Sequence, residues 1–465
     1  MRSGIIFKAE EPFEVIIAYY GSIINVGVTK KSLQKKIKKV EHNWKKSVKM
    51  ELFRNQKRRT KYALQTFYRK LLGLQGLNIT NIKENEKSIL IYAEMERKEH
   101  TCICCGTATD TVHDYREQKI KDIPAFGKLV SIVLRKRRYR CKCCSKRFFE
   151  CNPFLPKYHR MTNRLSAFVI DKLRDERSFT SVAREVNLSA STVIRIFDTV
   201  SYPKAELSQT LSIDEFKGNT WGEKYQCILT DPVNKKVLDI LPERYKPYLT
   251  NYFKQYPKEI RNSVTYFVSD MWRTYADISD VWFKNATPVI DKYHWIRQAI
   301  WAFENVRKEE QKKLSPELKK YFKRSKSLLI KRYDSLEEEQ KQQVNVMLYY
   351  SVNISRAYFY KEQFLKILGN KDTKSARKAM SEWLESAENC GIPQFEKCAD
   401  TMRNWYTGII NSFSTSITNG FTEGCNNKIK VLKRNAYGYR NFKRFRNRIL
   451  HIFSHQQLNN KQAAA

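Results

Sequence analysis

The sequence predicts an α+β chain of several domains, in which small cysteine-bearing and helical modules precede a mixed α/β domain interrupted by an all-helical insertion. Three observations predict it. Two Cys-x-x-Cys pairs stand on either side of residues 106–140. After Pro203, strand-like and helix-like runs alternate in the order βββαβαβα. From Trp295 to Tyr406 the chain is rich in Lys and Glu, with apolar residues at helical spacing and no strand signal.

Size and charge bound what these elements can do. At 465 residues the chain is long enough for about three domains with cores of their own, which excludes a small peptide scaffold. With 42% hydrophobic and 13% aromatic residues it is too apolar for wholesale disorder. Lys plus Arg number 87 against 48 Asp plus Glu, a surplus of +39 that repels itself unless a polyanion absorbs it. Nucleic acid is the natural counter-charge. The longest apolar stretch, Val15 to Val28, contains Gly21, Ser22 and Asn25 and follows Glu10, Glu11 and Glu14, so it is too short and too polar to span a bilayer. It also lacks the basic start and small-residue cleavage site of a secretory signal. A reducing cytoplasm is therefore expected, and the eleven cysteines read as thiols or metal ligands rather than disulfides.

Residues 1–61 give a strand-like opening and then a basic run holding Lys35, Lys36, Lys38 and Lys39, with no recognisable chemistry. Residues 62–160 carry the cysteines. Cys102/Cys105 and Cys141/Cys144 each form a knuckle that presents two thiolates on one side, and two knuckles complete a tetrahedral shell for Zn²⁺. Lys119 to Arg140 reads as strand, a Phe126-Gly127 turn, and strand, a ribbon that would bring the knuckles together. Cys104, Cys143 and His113 stand as alternative ligands. The second strand ends in Arg135-Lys136-Arg137-Arg138, a block placed to meet phosphates.

Residues 161–205 turn helical. Leu165, Phe168, Val169 and Leu173 make one amphipathic face. Thr180 to Phe197 then reads as helix, a turn at Asn187-Leu188, and a second helix capped by Ser189, a helix-turn-helix pattern. Its second helix would offer Ser191, Thr192 and Arg195 to a DNA groove, with Arg184 on the first, while Val193, Ile196 and Phe197 pack inward.

The remaining segments are expected to form a catalytic core in two parts, 206–295 and 412–455, split by the helical segment 296–411 and followed by a tail, 456–465. In the first strand, alternation puts Ser212, Asp214 and Phe216 on one face. Asp270 ends the strand Val264 to Asp270. If the two strands lie side by side, both carboxylates meet at one rim, where they repel unless cations sit between them. Glu423 supplies a third acid from a helix on which Asn427, Lys430 and Arg434 share its face, one metal ligand followed by a track for a phosphate backbone. Three such acids can hold two Mg²⁺, or Mn²⁺, for attack on a phosphodiester. Asp291, with His294 three residues on, competes for the third place, although it suits a helix N-cap equally well; Asp270 too could cap the helix that follows it. The aromatics Trp301, Phe303, Trp383 and Trp405 read as core of the helical segment rather than base-stacking groups. The histidines include no His-x-His pair of the relaxase kind.

Asp214-Glu-Phe-Lys, Ser269-Asp-Met, Asp291-Lys-Tyr-His294, Thr422-Glu-Gly-Cys-Asn-Asn-Lys-Ile-Lys-Val-Leu-Lys-Arg434, Tyr437-Gly-Tyr-Arg-Asn-Phe442 and Phe445-Arg-Asn-Arg-Ile449 together resemble the DDE transposases of the ISL-three insertion-sequence family. The resemblance covers roughly residues 65 to 452 and takes in Leu71-Leu-Gly-Leu, the cysteine pairs, and Tyr158 to Arg164. It implies a zinc finger and helix-turn-helix that recognise terminal inverted repeats on double-stranded DNA, and a ribonuclease H-like catalytic domain with Asp214, Asp270 and Glu423 as its acidic triad. It also implies a bacterial, nucleoid-associated enzyme that works as a homodimer or higher oligomer when two ends are synapsed. Where many relatives have Ser-Gly before the Glu, this chain has Phe421-Thr422. Residues before about 60 lie outside the resemblance and are read as an upstream extension, with Met50 as an alternative start. A DNA-binding regulator over a dead catalytic scaffold is the rival reading.

Overall fold

The computed structural model describes residues 76–463, except for 153, 154, 156–158, 221 and 325, together with a few helical positions from Lys38 to Met50; of side chains beyond Ser454 nothing is described. The N-terminal extension, apart from those positions, and the Leu71-Leu-Gly-Leu motif lie outside the described residues. The chain divides into two compact units, Met1–Asn163 and Arg164–Ala465.

The first unit is built on a sheet. Strands β1 (Leu77–Glu84), β2 (Ser88–Met95), β5 (Val112–Lys121) and β6 (Leu129–Arg140) run in the order β1-β2-β6-β5, with the short β7 (Arg147–Phe149) pairing β6. Two further short strands, β3 (His100–Thr101) and β4 (Ala108–Thr109), pair across the first knuckle. The expected ribbon is there: β5 and β6 pair from Val112↔Tyr139 to Lys121↔Ser131, and the reversal places Phe126 and Gly127 at positive φ. Strands β1 and β2 had no counterpart in the sequence reading. They complete a core of Leu77, Ala93, Ile120, Ile132, Leu134 and Leu155.

Burial along β6 changes face partway. Val130, Ile132 and Leu134 are covered on one side; from Arg137 onward Arg137, Tyr139 and then Cys141 are covered on the other, where Cys102 and Phe148 pack. This corrects the expectation of four DNA-facing cations at 135–138. Arg137 is buried, its guanidinium held by Glu150, Glu94 and the Met95 carbonyl at 3.3, 3.3 and 2.6 Å. Arg138 grips Asp114 with two hydrogen bonds and is half-buried. Lys136 donates to Gln118, and Arg135, the exposed member, stacks on Tyr115 at 3.9 Å.

The second unit begins with helices α1 (Asn163–Lys172), α2 (Phe179–Glu185) and α3 (Ala190–Phe197). Ser178 and Ser189 cap α2 and α3 by accepting from Ser181 N–H and Thr192 N–H, and Asn187 takes the left-handed backbone of the turn between them. Val193 and Phe197 are fully buried, as amphipathic spacing requires.

A five-stranded sheet follows, ordered β10-β9-β8-β11-β12. Its strands are β8 (Thr210–Phe216), β9 (Gln226–Asp231), β10 (Lys236–Leu241), β11 (Tyr266–Ser269) and β12 (Thr287–Ile290). The first three form an antiparallel meander through tight turns, while β11 and β12 run parallel to β8, separated by helices. One face packs Leu211, Ile213, Leu229, Phe253, Phe267 and Phe283 into a core with α4 (Lys246–Lys254) and α6 (Arg273–Trp282). The short α5 (Lys258–Asn262) precedes β11.

Between Lys292 and Asn411 the described residues form helices α7 (Lys292–Lys313) to α14 (Tyr406–Asn411) and no strand. Trp295, Phe303, Phe364, Trp383 and Phe395 fill their shared core, and Trp405 packs at its edge. Trp301 departs from the expected core role: it is 45% exposed, with the Arg297 guanidinium over its ring. The chain closes with α15 (Gly420–Asn435) and α16 (Phe442–Ala463). Helix α16 ties the helix-turn-helix to the sheet: Arg448 donates to the carbonyls of Asp175 and Arg177, Asn447 to that of Val200, and Arg446 pairs with Asp239 on β10. No helix among the described residues is long and apolar enough to cross a membrane.

Candidate metal centres

The first centre is made of thiols. Each knuckle is folded by its own backbone: Cys102 N–H donates to Thr107 O and Gly106 N–H to Cys102 O, while Cys141 N–H donates to Lys146 O. The paired strands β5 and β6 bring the knuckles together, and the Sγ atoms of Cys102, Cys105, Cys141 and Cys144 lie within 4.8 Å of one another. Cys102 Sγ is 3.5 Å from Cys144 Sγ, and Cys105 Sγ is 3.5 Å from Cys141 Sγ. These separations are far too long for a disulfide and close to the edge of about 3.8 Å that four sulfurs make around a tetrahedral Zn²⁺. The N–H groups of Cys105 and Cys104 hold the Cys102 thiol below its usual range, and hydrogen bonds from Thr107 lower Cys105 to about 5. Although the Lys146 N–H lowers it, burial and the neighbouring sulfurs of Cys102, Cys105 and Cys141 push Cys144 up to about 12, so the first knuckle is the one that favours thiolates before any metal arrives. Cys104 and Cys143, the alternative ligands, are exposed outside the cluster.

The second centre is made of oxygens. Ser212 pairs with Val268 and Ser269 with Ile290, so continuing the two registers sets Asp214, Asp270 and Asp291 in one row at the C-terminal ends of three adjacent parallel strands. Neighbouring strands are about 4.8 Å apart, and three carboxylates in such a row repel. Burial, with the charges of Asp270, Glu215 and Asp291 nearby, raises Asp214 to about 7; burial raises Asp270 to about 6 although His294 pulls it back.

Helix α15 covers this row. Ser212 Oγ donates to Asn419 Oδ1 at 2.6 Å, and Thr422 Oγ1 lies 2.7 Å from Thr230 Oγ1, so the face of β8 that bears Asp214 is stitched to the start of α15. Thr422 is thus absorbed by a buried polar contact with β9. Asn426 Nδ2 donates to Asp214 Oδ2 at 2.9 Å, and Asn419 N–H donates to Asp291 Oδ1 at 3.1 Å. Glu423 sits in the first turn of α15, where the helix dipole favours an anion. Its carboxylate, with Asp291 and His294, forms a group whose ligand atoms lie within 4.8 Å of one another.

Asp291 and Glu423, expected to compete for one place, therefore lie side by side. Asp291 occupies the N-cap position of α7, yet its side chain makes no cap bond and turns to α15 instead. Asp270 caps nothing either, because α6 starts after Trp272. Asp214 and Asp270 stand beside the Asp291, His294 and Glu423 group, not inside it.

Four buried atoms around the row have no hydrogen-bond partner: the acceptors Asp270 Oδ1, Asp291 Oδ2 and Asn426 Oδ1, and the donor Asn419 Nδ2. Buried acceptors are rarely left bare, and hard oxygen atoms gathered at one place suit a divalent cation such as Mg²⁺ or Mn²⁺. On the opposite face of β8, Glu215 is neutralised by Arg244, which stacks over Tyr225 and Trp272.

The sequence reading missed Asn419 and Asn426. Asn426 lies one helical turn beyond Glu423, and that spacing was the available signal. Of the residues expected to touch DNA in this unit, Arg184, Ser191 and Arg195 are exposed on the helix-turn-helix, whereas Thr192 is half-buried with its hydroxyl 2.8 Å from Ser189 Oγ. Asn427, Lys430 and Arg434 are exposed along α15.

With the geometry described, comparison with known proteins adds three matches along the chain. Residues 98–144 match the zinc-finger of the IS204/IS1001/IS1096/IS1165 transposases, residues 150–201 match the helix-turn-helix domain of transposase family ISL3, and residues 211–449, just over half the chain, match the ISL3-type DDE transposase domain. The transposase for insertion sequence element IS1001 of Bordetella parapertussis is 26% identical over 379 residues, covering 79% of this chain and 93% of that protein. The transposase for IS1557 of Mycobacterium tuberculosis is 29% identical over 85 residues, 18% of this chain and 19% of its own. A 63-residue stretch is 41% identical to a protein of Lactococcus lactis named an ATP-dependent protease; it covers 13% of this chain and 20% of that one, too little to carry an argument.

Proposed function

The chain belongs to the ISL3 family of transposases, and from that premise we propose that it binds the terminal inverted repeats of its element, cuts the DNA there with water, and joins the freed 3′ hydroxyl to target DNA. The observation that carries the reading is the row of Asp214, Asp270 and Asp291 across three parallel strand ends with Glu423 closing over it.

In this reading the sheet is ribonuclease H-like, and Asp214, Asp270 and Glu423 hold the catalytic cations, with Asp291 and His294 adjoining. When bound, a pair of Mg²⁺ or Mn²⁺ supplies activation of the attacking oxygen and stabilisation of the leaving one. The chain's own residues set the geometry. The Glu215 N–H and Asn426 fix the two oxygens of Asp214, and the Asn419 N–H fixes one of Asp291, which leaves Asp291 Oδ2 and Asp270 Oδ1 without a hydrogen-bond partner at the row. Arg244 engages Glu215, so that this acid does not compete. In the cutting step a water oxygen bonds to phosphorus as the P–O3′ bond breaks, leaving a 3′ hydroxyl and a 5′ phosphate. In the joining step that hydroxyl attacks a target phosphodiester and releases a target 3′ hydroxyl. Number and kind of bonds balance in both steps, without a covalent enzyme intermediate.

The zinc ribbon and helix-turn-helix would supply end recognition through Arg135, Lys136, Arg184, Ser191 and Arg195, and two synapsed ends call for at least a homodimer. The regulator reading is not favoured, since it would leave a row of buried acids, each costly to ionise, without a task.

The test uses a duplex carrying the element end, Mg²⁺, and the wild-type protein beside Asp214→Asn, Asp270→Asn and Glu423→Gln. All four bind the duplex alike, and nicking and joining fall at least a thousand-fold in each variant. Cleavage that survives these substitutions would remove the acids from the mechanism.

A further inference from the structure

We propose that Tyr437 and the basic groove beside it receive an unpaired nucleobase and its phosphates from the DNA strand leaving the carboxylate site. The proposal rests on the catalytic reading above and extends it to the path of the strand.

Tyr437 is 100% exposed, the largest exposure among the large hydrophobic side chains described. Its backbone is also in the left-handed region, at φ 54°, with Gly438 next at φ 95°. The cause is the end of α15: Tyr437 N–H donates to Arg434 O and Gly438 N–H to Lys433 O, which makes Tyr437 the first residue past the helix cap. That position is where glycine usually sits, because a Cβ is strained there. An aromatic ring with no packing role, held in a strained backbone, is an outlier that calls for a function.

The surroundings say what kind. Tyr437 lines a cavity of about 700 Å³ together with Lys217, Lys430, Lys433, Arg434 and Arg440, and among the described residues no carboxylate lines it. Lys433 Nζ donates to the Lys217 carbonyl at 2.8 Å, fixing the helix to the end of β8 so that the groove has a firm wall. The groove lies roughly 10 Å from the catalytic row, since Lys217 follows Asp214 by three residues of extended chain and Lys430 lies two turns past Glu423. Tyr437 is about 20 Å along from Glu423, roughly six steps of a B-form strand.

Cations alone would serve a duplex, whose phosphates face outward. An exposed aromatic ring adds something only for a base whose face is free, and stacking of this kind is tolerant of sequence. The chemistry therefore points to a single-stranded segment.

The experiment uses full-length protein with two DNAs, a blunt duplex and the same duplex bearing an unpaired tail in which each base in turn is replaced by 2-aminopurine. In the wild type one tail position is quenched on binding. Tyr437→Phe keeps the quenching. Tyr437→Ala and Tyr437→Gly lose it and bind the tailed duplex about ten-fold more weakly, with blunt-duplex affinity unchanged. Tyr437→Gly also melts at or above the wild-type temperature, because it relieves the strained backbone; this separates lost stacking from lost folding. The proposal is overturned if Tyr437→Ala binds tailed and blunt DNA as the wild type does, or if it loses both equally, which would mark a duplex-phosphate or structural role. Glu423→Gln keeps the quenching while it loses cleavage, so a failure of the catalytic reading and a failure of the groove are read out separately.

Discussion

The four thiols of Cys102, Cys105, Cys141 and Cys144 come from two knuckles joined by neighbouring strands, whereas the acids at positions 214, 270, 291 and 423 come from three strand ends and a distant helix. Two of the thiols are buried in the small core that they help to form, and all four sulfurs are near partners. Around the acids, buried oxygens are left without partners, and burial works against the charge they need. The difference teaches what each centre is for. A closed sulfur shell stabilises its fold when metal enters, while an open oxygen row is held by the fold against its own repulsion and suits an exchangeable ion and a substrate.

If that contrast holds, removing ligands at the two centres changes stability with opposite signs. Cys102→Ser or Cys141→Ser has the largest effect. Structural zinc contributes on the order of 10 kcal/mol of folding free energy, so each variant loses its zinc and the cooperative unfolding of the first unit, seen in metal content and by thermal melting. Variants that keep both would make the cluster four ordinary thiols.

Arg137 and Arg135 sharpen the boundary between support and contact within that unit. Arg137→Ala leaves Glu150 and Glu94 without their cation in a buried setting and costs about 3–5 kcal/mol in chemical denaturation. Arg135→Ala stays within about 0.5 kcal/mol and lowers the salt dependence of DNA binding by about one ion. Equal stability losses would mean that burial along β6 does not divide these roles.

Asp214→Asn gives an effect of the opposite sign to the cysteine variants. A carboxyl whose folded value is raised to about 7 holds its proton more tightly in the folded chain, so ionisation withdraws stability as pH rises from the unfolded value near 4 through 7. The metal-free variant therefore melts a few degrees above the metal-free wild type at pH 8, and the gain vanishes near pH 4. Mg²⁺ raises the wild-type melting temperature more than that of the variant. A variant less stable than the wild type at pH 8 would remove the repulsion from the account.

What the sequence made legible follows the same line. The cysteine pairs, the capped helices around Asn187 and the strand carrying Asp214 are set by neighbours within a few residues, and each was readable from spacing. The burial of Arg137 was not, because it depends on which face of β6 is covered by a knuckle brought in from elsewhere. Nor was the placement of Asp291 beside Glu423: local capping preference and the register of β11 with β12 point to different partners, and tertiary contact with Asn419 decides between them. The strands before the first knuckle escaped notice although Ile89-Leu-Ile-Tyr92 is an apolar run of strand length.

The central claim is that oxygens gathered at the ends of β8, β11 and β12 share divalent ions with Glu423. The most direct measurement is a crystal of the full chain soaked in Mn²⁺ and read by anomalous scattering. The account predicts Mn²⁺ density at coordination distance from Asp214 and Asp270, shared with Glu423 or Asp291, and absent in Asp270→Asn. A wild-type crystal whose manganese peaks all lie away from these carboxylates would contradict it.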